Sequence, residues 1–318
     1  MQLIARRRIA AQQIARHDFS TPADVVRWLG AVQAQDYAGA KWAVGLRLPP
    51  GATDAAIQRA LDEGAILRTH VMRWTWQLVA PEDARWMIAL VAARLMKKAE
   101  RRHRELGLDA RTIRRSNAAL GKALAGGNHL ARAELARVLA RARISPEGPR
   151  LSHLLACAEL DAIAISGPLR GKQATWALFD ERVPSSRAVD ARDAAAELAF
   201  RYARSRGPVS AADFAWWSGL PAGAARDALE ATSSRLETET IGGRKLWHAA
   251  TKDAPAPAAS ASLAEAVAPA SLIAELSLGN PKETWQRARL LGGNYAQALP
   301  SSLPVLLATS LSLPPSAG

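Results

Sequence analysis

Three times along this chain, a run of helical segments gives way to two short β-like pieces around a polar or glycine-rich tip. That recurrence limits the fold more than any other feature, because each block is one supersecondary unit of helices closed by a ribbon. In the first block, residues 2–14 read as a helix. Ser20-Thr21-Pro22 starts a second, with a hydroxyl cap and Pro in the first turn, ending near Leu29. Further helices are expected over residues 38–46 and 52–63, the latter stopped by Gly64, followed by strands over 65–68 and 73–79. Pro81-Glu82-Asp83 opens the next helix, carrying Trp86, Ile88, Leu90 and Val91. The second block reads as helices over 111–124, 132–143 and 151–160, with a hairpin of 162–166 and 173–179. The third has helices over 191–206, 210–219 and 221–232, and a hairpin of 236–240 and 244–248 across Gly242-Gly243. The predicted class is mainly α with short β-hairpins (α+β), as three tandem winged helix-turn-helix units. Their expected boundaries are 1–108, 109–188 and 189–250, with an irregular C-terminal tail over 251–318.

One stretch breaks the helical pattern. Gly30-Ala31-Val32-Gln33-Ala34-Gln35-Asp36-Tyr37 places two glutamines one residue apart beside an acid and an aromatic ring. Amides among apolar neighbours need partners or a task, since burying them unpaired is costly. On a helix, residues i and i+2 point about 200° apart and share no target. If Gln33 and Gln35 act together, the backbone there is a frayed helix end or extended. A solvated helix end is the bland alternative.

Charge speaks to partners. Lys and Arg number 42 against 29 Asp and Glu, a net charge of +13, which favours a polyanion, with nucleic acid ahead of acidic membrane. The basic tip Arg170-Gly171-Lys172 of the second hairpin suits a phosphate backbone better than bases. Lys97, Lys98, Arg101, Arg102, Arg104, Arg111, Arg114 and Arg115 form either a solvated helix face or a phosphate track. The single cysteine, Cys157, excludes a disulfide framework and a CxxC zinc site, and its apolar surroundings read as core. His153, in the same apolar helix, is expected as a hydrogen-bonded core residue. The N-terminus has no signal-peptide-like apolar run, and no stretch reads as a membrane span. A cytoplasmic, nucleoid-associated location follows as the expectation.

Near Thr251 the character changes. Residues 254–270 are an Ala/Pro/Ser linker, and no charged residue follows Arg289. The abrupt shift in composition predicts a divergent tail that is disordered or read out of frame.

The carriers of a family resemblance are Val32-Gln33-Ala34-Gln35-Asp36-Tyr37, Leu67-Arg68-Thr69-His70-Val71-Met72-Arg73-Trp74-Thr75-Trp76, Gly171-Lys172-Gln173-Ala174-Thr175-Trp176 and Phe214-Ala215-Trp216-Trp217-Ser218-Gly219. Over roughly residues 3–250, the chain resembles the winged-helix bacterial DNA glycosylases that excise bulky alkylated bases and unhook interstrand crosslinks. The resemblance implies three winged helices around a concave DNA channel, with Gln33 and Gln35 as the catalytic Gln-x-Gln motif. It also implies that the His70/Arg73 stretch faces DNA; the competing reading of His70 is a satisfied structural histidine. Where the family usually has a histidine after Arg-x-Thr-Trp, this chain has Gln77. The family's C-terminal Asp-Glu-Tyr-like run is not reproduced either.

The chemistry suits those residues. A cationic N7-alkylated purine is a good leaving group, so the enzyme's task is to place a water and tolerate an oxocarbenium-like sugar. Amides can orient that water, and Asp36 is the nearest carboxylate that could stabilise the developing charge. Tyr37 could supply a stacking wall and Lys41 a DNA contact; Trp42 is expected in the core, with a wall role as the alternative. The candidate site is therefore Gln33, Gln35 and Asp36 for catalysis, and Tyr37, Lys41, His70, Arg73, Arg170 and Lys172 for DNA, with no metal and no cofactor. The expected partner is double-stranded DNA bearing alkylated bases, bound by a monomer. The rivals are a winged-helix transcriptional regulator and a DNA-binding relative that has lost its chemistry.

Overall fold

A computed structural model describes residues 2–14, 18–183 and 189–250. The expected linker and tail over 251–318 lie outside the described residues. In chain order the elements are α1 (Gln2–Ala11), α2 (Pro22–Leu29), β1 (Val32–Gln33), α3 (Tyr37–Gly45), α4 (Asp54–Asp62), β2 (Leu67–Val71) and β3 (Thr75–Val79). They continue with α5 (Pro81–Glu105), α6 (Ala110–Leu124), β4 (Leu130–Ala131), α7 (Arg132–Arg141), α8 (Arg150–Leu160), β5 (Ala164–Ser166) and β6 (Thr175–Leu178). The last are α9 (Phe179–Arg182), α10 (Ala191–Arg206), α11 (Ala211–Ser218), α12 (Ala222–Glu230), β7 (Leu236–Ile241) and β8 (Arg244–Ala249). The fold is mainly helical with short antiparallel ribbons, the class expected from the sequence. The chain forms two compact units, one built from residues up to Ile57 and from Ala196 onward, the other from Gln58–Ala195.

In the first unit, Val25, Val26 and Leu29 bury the apolar stripe of α2, and Val44, Leu198, Tyr202, Phe214, Trp217 and Leu229 are buried as well. The Thr21 hydroxyl caps α2 at Asp24 N (3.2 Å), and Gly30 ends it at φ 75°, a conformation that favours glycine. Tyr202 stacks on Trp217 at 4.8 Å. Strand β7 pairs with β8 from Leu236↔Ala249 to Ile241↔Arg244 around the Gly242-Gly243 turn.

In the second unit, β2 and β3 form a hairpin paired from Leu67↔Val79 to Val71↔Thr75. A three-stranded sheet has the order β4-β6-β5. Leu120, Leu124, Leu135, Leu139, Leu154, Leu155 and Cys157 pack beneath it as one core. The first hairpin differs from expectation. Strand β2 runs on through Thr69, His70 and Val71, and the turn falls at Met72-Arg73-Trp74, where Met72 and Trp74 have φ of 61° and 64°. The cause is tertiary: Glu159, on α8, accepts from the Thr69 hydroxyl and from the His70 backbone N–H. A buried carboxylate thus extends a strand whose polar residues look like loop. Lys97, Lys98, Arg101, Arg102 and Arg104 lie on an exposed face of α5, where Arg101 and Arg102 both pair with Glu105 at 3.0 Å.

Candidate active site and DNA-contacting residues

The first unit carries the glutamine motif. From Val32 to Gln35, buried and exposed residues alternate: Val32 and Ala34 lie in the core, whereas Gln33 and Gln35 are exposed. Alternation with period two is the signature of extended backbone, and it brings residues i and i+2 to the same side. Strand β1 covers Val32–Gln33 and the chain bends at Gln35, so the stretch is not helical and both amides are exposed.

Two devices hold this segment. At its entry, Arg206 is buried and donates from Nη1 to the Leu29 carbonyl (2.7 Å) and from Nη2 to the Ala31 carbonyl (3.0 Å). Its guanidinium lies 4.7 Å from the Trp217 ring. Burial pushes the Arg206 pKa down to about 10. At its exit, Asp36 caps α3, its Oδ1 accepting from Gly39 N at 3.0 Å. A second buried arginine, Arg47, donates from Nε to the Gln12 carbonyl (2.8 Å), tying α3 to the end of α1. Burial, reinforced by Arg206, lowers its pKa to about 9.

Next along α3, the Lys41 ammonium pairs with Asp54 at 2.8 Å and lies 5.2 Å from the Tyr37 ring centroid. Most of the Lys41 side chain is buried (11% exposed), whereas its partner Asp54 is largely exposed. Trp42, expected in the core, is instead 40% exposed. The reason is the phase of α3: Ala40, Lys41, Ala43 and Val44 fill the buried side, leaving position 42 outside.

The second unit holds the other candidates. His70 is a buried strand residue whose Nδ1 lies 2.8 Å from Glu159 Oε2, with its ring 4.4 Å from that of Trp76. Arg73 sits at the hairpin turn. Arg170 and Lys172 are both exposed at the second hairpin tip, where Arg170 pairs with Glu134 at 2.9 Å and also donates to the His129 carbonyl. Gln77 is buried opposite Thr69, its Nε2 donating to Thr75 Oγ1, two residues back on β3, at 2.8 Å. His153 departs from expectation. It is half-buried, its ring 5.3 Å from His103 and 6.0 Å from Trp74, and its Nδ1 has no hydrogen bond among the described residues. Ring packing, rather than hydrogen bonding, holds it. Desolvation lowers the pKa values of both His153 and His103.

Sequence reasoning missed Arg206 and Glu159, the residues that position the others. Each left a signal: Glu159 is an acid inside the apolar run Leu154-Leu155-Ala156-Cys157-Ala158-Glu159-Leu160, and Arg206 ends a helix next to Gly207-Pro208. No group of three or more His, Cys, Asp or Glu among the described residues is arranged to hold a metal. No described helix is long and apolar enough to cross a membrane.

The chain thus combines an exposed, non-helical Gln-x-Gln stretch with a basic, mainly helical fold with short ribbons. Residues 26–272 match the family model described as "DNA glycosylase AlkZ-like", so the chain belongs to the AlkZ-like DNA glycosylase family. It is accordingly a DNA glycosylase of DNA repair, and DNA is its partner. Among solved structures, Streptomyces sahachiroi DNA glycosylase AlkZ is similar in fold. The TM-score is 0.66 at 23% identity, covering 80% of this chain and 72% of that one. No curated protein matches the chain significantly.

Proposed function

We propose that the protein is a monofunctional glycosylase that hydrolyses the N-glycosidic bond of bulky N7-alkylated purines in duplex DNA, with Gln33 and Gln35 placing the water. The observation that carries this reading is the joint exposure of the two amides on an anchored, non-helical segment. In an N7-alkylated purine the ring already bears positive charge. When the C1′–N9 bond breaks, its electron pair neutralises that charge and the sugar becomes oxocarbenium-like. Two oriented amides can hold a water against that centre, accepting from its hydrogens and donating to its oxygen, without acting as strong bases. Asp36, held at the start of α3, is proposed to stabilise the positive sugar electrostatically. Tyr37, Lys41, His70, Arg73, Arg170 and Lys172 are proposed as DNA contacts. The three helix-and-hairpin blocks are proposed as winged helices that line the DNA channel of a monomer, with crosslink unhooking within its range.

The test is single-turnover incubation with duplex DNA carrying N7-methylguanine or a nitrogen-mustard adduct, followed by alkaline cleavage of abasic sites. Base release is expected from the wild type, and a loss on the order of a hundredfold in Gln33→Ala and Gln35→Ala with DNA binding retained. Tight binding without release from any adduct would replace this reading with that of a DNA-binding relative lacking the chemistry.

A further inference from the structure

Helix α8 is apolar where it is buried, except at Glu159, which has no exposed surface. A carboxylate in that position is costly unless donors surround it, and here four converge. The Thr69 hydroxyl (3.2 Å), the His70 backbone N–H (2.9 Å) and His70 Nδ1 (2.8 Å) meet Oε2, while the Trp176 indole N–H meets Oε1 at 2.8 Å. A carboxylate only accepts, so the hydrogen of the His70–Glu159 bond sits on Nδ1. In the neutral imidazole this bond selects the Nδ1–H tautomer and leaves Nε2 as the acceptor. Nε2 makes no hydrogen bond among the described residues, and the side chain keeps 10% of its surface exposed. The ring cannot swing away: Trp76 lies 4.4 Å from it and Trp74 6.4 Å. Trp76 is itself covered by the Arg68 guanidinium at 3.9 Å and meets Trp176 edge-on at 6.2 Å.

We propose that Glu159 is a positioning residue that presents His70 Nε2 to the DNA as a hydrogen-bond acceptor. The proposal rests on the reading above that His70 contacts DNA, and it sharpens what that contact is. A phosphate oxygen has no hydrogen to offer an acceptor, so the partner is an N–H edge of a nucleobase or an ordered water next to one. His70 then differs in kind from Arg170 and Lys172, whose charges suit the backbone.

The tautomer can be read without DNA, in full-length protein labelled with 15N-histidine, by long-range proton–nitrogen correlation. His70→Gln identifies the His70 signals. The wild type is expected to show the Nδ1–H pattern, and Glu159→Gln to shift it toward Nε2–H. Glu159→Asp serves the same purpose if the amide variant does not fold, since it keeps the charge but withdraws the oxygens by one methylene. Trp176→Phe removes a donor from Oε1 only and should preserve the Nδ1–H pattern. In single-turnover base release, Glu159→Gln and His70→Gln are each expected to fall about tenfold. The salt dependence of DNA binding should be unchanged, because no phosphate contact is lost. An Nε2–H wild type, an unaltered tautomer in both Glu159 variants, or a salt slope reduced by about one phosphate in His70→Gln would overturn the proposal. If the wild type released no base from any adduct, the glycosylase reading would fail, and the tautomer and salt slope would still decide this one.

Discussion

Replacing Arg206 with Met tests whether the glutamine segment depends on a buried cation. The guanidinium makes three bonds, to the Leu29 carbonyl (2.7 Å), the Ala31 carbonyl (3.0 Å) and the Ser205 hydroxyl (2.8 Å). At about 1.5–3 kcal/mol for each hydrogen bond to a charged group, removing them costs about 5–9 kcal/mol before any relief. The relief is the desolvation no longer suffered. A pKa lowered from 12.5 to about 10 by burial corresponds to roughly 3 kcal/mol. Arg206→Met should therefore destabilise the protein by about 2–6 kcal/mol, since Met fills similar volume but leaves two backbone carbonyls unpaired. Urea unfolding followed by tryptophan fluorescence measures the stability, and single-turnover base release measures the site. Activity should fall under conditions where the variant is still folded, because the carbonyls at residues 29 and 31 immediately precede Gln33. A stability change below about 1 kcal/mol together with full activity would refute the claim that this arginine anchors the segment.

Two further expectations follow from the second unit. His103 and His153 have pKa values lowered by burial, so the folded state binds fewer protons than the unfolded chain. Their contribution to stability is complete above the unfolded value of 6.5 and is lost as pH falls from 6.5 through the folded values. Denaturant midpoints measured across that range should decline on acidification, and less steeply in His103→Phe; a flat profile would contradict the burial argument. Cys157 is fully buried, 3.8 Å from Met96 Sδ and 3.9 Å from His103 Nε2, with its pKa raised to about 12 by burial. Ellman's reagent at pH 8 should leave the native thiol unmodified and label it fully on unfolding; rapid native labelling would show the core to be open.

Most of the secondary structure was legible from local rules. Thr21-Pro22 announced α2, Gly242-Gly243 the turn between β7 and β8, and the spacing of Leu135, Leu139 and their neighbours the apolar face of α7. The motif Gln33-Ala34-Gln35 was also legible, together with the condition it had to meet, because the choice between helix and extended backbone turns on simple angular geometry. What local rules could not reach was the partner of each polar residue. Whether Trp42 faced the core depended on the phase of a short helix, and Lys41 took the buried place beside it by pairing with Asp54.

By itself, then, the sequence determined the helical class with short ribbons, the family to which the chain belongs, the basic character that suits DNA, and the pair of amides that carries the proposed chemistry. These depend on composition, periodicity and motif, which are written along the chain. Only the tertiary structure decided that Arg206 holds the backbone before Gln33 and that Glu159 reaches Thr69, His70 and Trp176. Those partners are separated by 17 to 177 residues. Their pairing follows from the cost of burying a charge alone, a constraint satisfied only after the chain has folded.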